Sequence, residues 1–134
     1  MTQILDRISQ VVSNYDAIVL DQYGVLHDGT SPYTGAIECL TNLANSGSRL
    51  AVLSNSGKRS ASNAARISSM GFADSLFDVI MTSGEALWHD ILTGTIIERR
   101  FFPVASRPDD AIKWAQGLDI QFKDSVNTAE AVLL

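Results

Sequence analysis

Ala17-Ile18-Val19-Leu20-Asp21 is a short apolar run, rich in β-branched residues, that ends on a carboxylate. A continuous run of this length, without polar alternation, predicts a strand buried on both faces, and such strands belong to parallel sheets. Working outward, Leu50-Ala51-Val52-Leu53 repeats the pattern and breaks into the polar turn Ser54-Asn55-Ser56-Gly57. Between the two runs Ile37, Leu40, Leu43 and Ala44 fall at helical spacing, with Gly47 as a stop. Beyond the second, Ala61 to Met70 reads as helix stopped by Gly71, and Phe77 to Met81 as a third strand. Thr82-Ser83-Gly84-Glu85 then has the form of a capping box ahead of a helix through Leu92. This alternation predicts an α/β fold built on a doubly wound, Rossmann-like parallel sheet.

The flanks continue the pattern. Ile4, Ile8, Val11 and Val12 form the stripe of an amphipathic helix. Arg100 to Ala105 reads as a strand whose Pro103 marks an end or an edge, and Pro108-Asp109-Asp110 suits the first turn of a helix through Gln116, stopped by Gly117. The sequence closes on the apolar, strand-like Ala129 to Leu134. A buried strand needs cover on both faces, so this ending sets the expectation of a cut chain.

Composition narrows the function. Of 134 residues, 46% are hydrophobic and 19% charged, too apolar a balance for disorder. Ten basic against fifteen acidic residues give a net charge of −5, and the basic ones are scattered, which argues against a nucleic-acid partner. The single Cys39 sits in a helical stripe, reads as a small core residue, and fits a reducing, cytoplasmic setting. The start Met1-Thr2-Gln3-Ile4-Leu5-Asp6-Arg7 has an acid where a signal peptide needs basic residues, and no apolar run reaches membrane-span length, so no membrane partner is expected.

In an open parallel sheet, functional groups gather where loops leave the carboxyl ends of the strands. Two polar loops qualify, Asp21 to Gly29 and Ser54 to Lys58. An aspartate at a strand end can be a nucleophile, a metal ligand or an N-cap. Gly24 and Asp28-Gly29 allow sharp turns beside it, and the Ser/Asn loop offers hydrogen bonds suited to phosphate oxygens, so the pair reads as an anion-handling site. His89 reads as a surface residue, Lys58-Arg59 as solvated charges at a helix start or a phosphate contact, and Trp88 and Trp114 as packing residues.

This constellation resembles the haloacid dehalogenase superfamily of aspartate-nucleophile hydrolases. Asp21-Gln22-Tyr23-Gly24-Val25-Leu26 matches its first motif except at Tyr23, and Val52-Leu53-Ser54, extended by Asn55-Ser56, matches the second. Pro32, Gly35-Ala36-Ile37 and Phe77 to Ala86 are similar to the class IIA branch, which contains nitrophenyl-phosphatase-like enzymes. The resemblance implies an aspartyl intermediate on Asp21, with Asp21 and Tyr23 as the catalytic positions and a small phosphorylated metabolite as substrate. It implies magnesium held by Asp21, the backbone carbonyl of Tyr23 and a later acid, and substrate contacts from Ser54, Asn55 and Ser56. Residues 1–85 would be the N-terminal part of the core and 86–134 the start of an incomplete α/β cap, with a homo-oligomer as an option.

Two departures bear on activity. The lysine of the third motif and the acidic pair of the fourth lie beyond such a cap, so this chain alone is expected to be inactive. Tyr23 stands where the phosphatases carry the acid that protonates the leaving group, and a phenol is a poor proton shuttle at neutral pH. Tyrosine there resembles the hydrolytic 2-haloacid dehalogenases, whose halide needs no proton. His27 or Asp28 are candidates to replace the acid, and a non-catalytic protein of the same fold is the third alternative.

Overall fold

A computed structural model describes residues 4–107 and 109–134; the signal-peptide argument on Met1–Gln3 and the helix-start reading of Pro108 lie outside the described residues. The chain divides into two compact units, Met1–Ser54 with Ala61–Met81, and Asn55–Ser60 with Thr82–Leu134. The first is built on β1 (Ala17–Leu20), α1 (Ala36–Asn45), β2 (Arg49–Ser54), α2 (Ser60–Ser69) and β3 (Val79–Thr82), with strand order β1-β2-β3. β1 and β2 are parallel, Ile18 lying opposite Leu50 and Leu20 opposite Val52.

Alternation along these strands sorts their side chains. Ile18, Leu20, Leu50, Val52 and Ile80 join Leu40 and Leu43 of α1, Ile67 of α2, and Phe72 and Leu76 in one core. The alternate residues Val19 and Leu53 are 64% and 57% exposed, and Val79 and Met81 are also exposed. The expectation of burial on both faces is therefore not met. Both connecting helices apply their apolar stripes to the same face of the sheet, which leaves the opposite side chains in solvent.

The N-terminal amphipathic helix is replaced by two 3-10 turns, Ile8–Gln10 and Val12–Asn14. Valine, serine and asparagine are weak helix formers, and of the expected stripe Val12 packs on the core while Ile4 is 93% exposed. Cys39 lies on the exposed side of α1, not in the core.

The second unit holds α3 (Ser83–Thr93), β4 (Arg100–Pro103), α4 (Asp110–Trp114), β5 (Gln121–Phe122) and β6 (Ala131–Leu133). Its sheet has the order β5-β4-β6, with both neighbours parallel to β4. Pro103 ends the central strand, where its missing N–H interrupts no further pairing. Ile91, Phe101, Ala111, Trp114, Ala115 and Leu133 form a separate core. None of the described helices is long and apolar enough to cross a membrane.

Candidate active site

The loop after β1 organises itself around Gln22, which is buried at 3% exposure. Its carbonyl accepts from the amides of Val25 (3.3 Å) and Leu26 (2.9 Å), and Gly24, at φ +83°, donates to the His27 carbonyl at 2.9 Å. That conformation is open to glycine and strained for other residues. The tight turn leaves the Asp21 carboxylate exposed at the carboxyl end of β1, with Oδ1 accepting from the Gln22 amide at 2.6 Å. Ser54 ends the adjacent parallel strand and is buried. The register of β1 against β2 thus puts Asp21 and Ser54 at the same end of one sheet.

His27 is the buried keystone of this loop, at 1% exposure. Its Nδ1 accepts from the Gly29 amide at 3.0 Å, so the neutral ring carries its proton on Nε2, a buried atom without a partner among the described residues. Burial, reinforced by the Arg66 guanidinium and opposed by Asp28, holds the imidazole pKa below its ordinary value. Asp28 Oδ1 accepts from the amides of Thr30 and Ser31, each at 2.8 Å, and these bonds lower its pKa. The His27 ring and the Asp28 carboxylate are thus both held by backbone amides of their own loop.

Tyr23 is 70% exposed, its ring set edge-on to His27 at 6.3 Å and laid against Gly29, where an added Cβ would come within 3.1 Å of it. Arg66 of α2 fixes the far side by donating from Nη2 to the Gly29 carbonyl at 2.7 Å.

Asn55 and Ser56 belong to the second unit, where the segment Asn55–Ser60 is fastened to the first turn of α3. Thr82 caps α3 by accepting from the Glu85 amide at 3.0 Å, and its hydroxyl donates to the Lys58 carbonyl at 2.6 Å. The Gly84 amide donates to the Ser56 carbonyl at 3.0 Å, and a Cβ on Gly84 would overlap the Gly57 carbonyl. Glu85 completes no capping box. Its carboxylate instead takes both prongs of Arg59, at 2.8 and 3.0 Å, and the Ser60 amide at 2.9 Å. The Arg59 hydrogen bonds, ahead of the opposing burial, hold the Glu85 pKa below its ordinary value. The guanidinium lies 3.8 Å over the Trp88 ring, while Lys58 is exposed.

The structure therefore brings Asp21, Tyr23 and Ser54 into one unit and Asn55 and Ser56 into the other. Sequence reasoning missed Gln22, Arg66, Gly84 and the outward reach of Glu85. Only the capping-box spelling hinted at the last, and it pointed to the wrong partner.

A family profile described as haloacid dehalogenase-like hydrolase matches residues 18–113. The chain belongs to this family. The match is consistent with the class IIA branch of these haloacid dehalogenase-like hydrolases. A search of curated proteins finds no match. Among solved structures, the chain is similar to a haloacid dehalogenase-like family hydrolase from Brucella suis 1330, with 26% identity and a TM-score of 0.80, covering 96% of this chain and 45% of that one. It is also similar to a hypothetical protein from Pyrococcus horikoshii OT3, with 25% identity and a TM-score of 0.59, covering 81% of this chain and 40% of that one. A third likeness is to glycerol phosphate phosphatase from Mycobacterium tuberculosis in complex with calcium, at 21% identity and a TM-score of 0.62, covering 91% and 34%. The last shows the fold alone. The family chain described here thus spans less than half the length of these structures.

Proposed function

We propose that this chain carries the nucleophile of an aspartate-based phosphatase that acts on small phosphorylated metabolites. The observation that supports this reading is the exposed Asp21 carboxylate at the end of β1, with Ser54 ending the neighbouring parallel strand. Asp21 would attack phosphorus, the bond to the leaving oxygen would break as the aspartyl phosphate forms, and water would then hydrolyse that acyl phosphate, releasing inorganic phosphate and regenerating the carboxylate. Ser54 would hold a phosphoryl oxygen, and the resemblance adds Asn55 and Ser56 to that contact. The second parallel sheet is read as part of the α/β cap.

Asp21 and the Tyr23 backbone carbonyl are hard oxygen donors of the kind magnesium takes, but they are two where octahedral coordination needs about six. Among the described residues no group of three acidic, histidine or cysteine side chains is placed to hold a metal. They fit as part of a ligand set. Bound there, magnesium would neutralise charge on the phosphoryl oxygens.

Tyr23, the buried neutral His27 and the tied Asp28 leave the loop without a good proton donor. The phosphatase would therefore favour aryl over alkyl phosphates, whose leaving groups need protonation. The same observation keeps a second reading, dehalogenation, because halide leaves without a proton. Assay of the natural protein that carries this sequence decides between them. Asp21→Asn should abolish turnover of an aryl phosphate, and Tyr23→Asp should raise turnover of alkyl phosphates more than of aryl ones. Release of halide from a short haloacid with every phosphate ester untouched would favour the dehalogenase, and inactivity toward both would favour a non-catalytic protein.

A further inference from the structure

The cation nearest Asn55 and Ser56 in sequence, beyond the exposed Lys58, is Arg59, and a phosphate-binding loop would be expected to aim it at the anion. It is committed elsewhere. Its Nε and Nη2 meet Glu85 and its face rests on Trp88, so the guanidinium presents neither that edge nor that face to an incoming phosphate. Glu85 has likewise given up the role its position suggests. A glutamate three residues after an N-cap threonine would reach back to the cap's own amide, yet this carboxylate joins Arg59 and the Ser60 amide, 26 and 25 residues upstream.

Both side chains of the pair are about one-quarter exposed, so the charges are partly shielded from water and salt. Around them Thr82 holds the Lys58 carbonyl and Gly84 holds the Ser56 carbonyl. Three points along Ser56–Ser60 are thereby set by the first turn of one helix.

We infer that Arg59 and Glu85 are positioning residues, an ion pair seated on Trp88 that fixes the conformation in which Asn55 and Ser56 meet a phosphoryl group. The inference rests on the phosphatase reading for what the loop holds, but the fastening itself is testable without it. Glu85→Gln keeps the shape and removes the charge; Arg59→Lys keeps the charge and removes the fork.

Amide hydrogen exchange on the 134-residue chain should show Ser56–Ser60 exchanging about tenfold faster in either variant, with β1 and β2 unchanged and the double variant no worse than the singles. Trp88 emission should shift in Arg59→Lys as the stacked guanidinium is lost. Inorganic phosphate, titrated in parallel, should bind about tenfold more weakly to both variants. Loop amides that exchange as in the parent chain in both variants overturn the inference. So does weaker phosphate binding confined to Arg59→Lys with unchanged exchange, because Arg59 would then be a direct ligand. A parent chain that binds no phosphate, with loop exchange still accelerated in both variants, supports the fastening and counts against the phosphatase reading. Should Glu85→Gln fail to fold, Glu85→Asp, shorter by one methylene, gives the same readings.

Discussion

The loop after β1 and the start of the loop after β2 are both polar, glycine-bearing and placed at strand ends, yet they are held in opposite ways. The first is held mainly from within: Gln22 and His27 sit buried inside it, its amides bond to its own carbonyls, and Arg66 adds one outer tie. The second is held from without, by Thr82, which caps α3, and by Gly84 and Glu85 in its first turn. A loop that folds around its own buried polar residues can present an exposed carboxylate with little outside help. One fastened by a distant helix keeps its shape only while that helix and its ion pair are intact.

The largest expected effect breaks the second loop. Gly84→Ala places a methyl group into the Gly57 carbonyl and should cost about 3 kcal/mol of unfolding free energy, as overpacking at backbone does. Denaturant melting followed by Trp fluorescence measures it, and a loss under about 1 kcal/mol would mean the loop moves aside easily. Next, His27→Ala removes the acceptor for the Gly29 amide and hollows the first loop, at a cost of about 2 kcal/mol in the same measurement.

Acid should separate the loops. The folded His27 pKa lies below 6.5, so as pH falls below 6.5 the unfolded chain takes the proton first and the fold loses stability there. The folded Glu85 pKa lies below 4.5, so its contribution is complete above that value and is lost only as pH falls through the lower folded pKa. Thermal melting across pH should therefore show the His27 loss setting in below pH 6.5 and missing from His27→Ala, and the Glu85 loss setting in only below pH 4.5. A single common onset would erase the distinction. The smallest effect is that of Arg66→Ala, about 1 kcal/mol for one hydrogen bond from a charged donor on the surface, with faster Gly29 and Thr30 amide exchange as its local sign.

Strand and helix order was legible because continuous apolar runs and helical stripes are strong signals, and the motif positions Asp21 and Ser54 followed from where those runs end. Burial was less so: Val19 and Leu53 have the residue types of a two-sided strand, but which face is covered depends on where α1 and α2 pack. β5, two residues long, carries no periodicity to read. His27 gave no sign of burial, since a histidine between Leu26 and Asp28 reads as solvent-facing until its ring is seen to accept the Gly29 amide. Glu85 misled for a related reason: spelling defines a capping box, but a better partner 26 residues away claims the carboxylate.

The second unit is discontinuous along the chain, and this has a consequence for the order of events at synthesis. Domains form from the N-terminus as the polypeptide emerges, at about 5–20 residues per second. Asn55–Ser60 therefore leaves the ribosome before any of α3 exists and must wait for Thr82, Gly84 and Glu85 before its carbonyls and the Ser60 amide find their partners. Meanwhile β1, α1 and β2 can already pair and pack. Asp21 is thus set early by local contacts, while Asn55–Ser60 matures only when a later stretch of the same message has been translated.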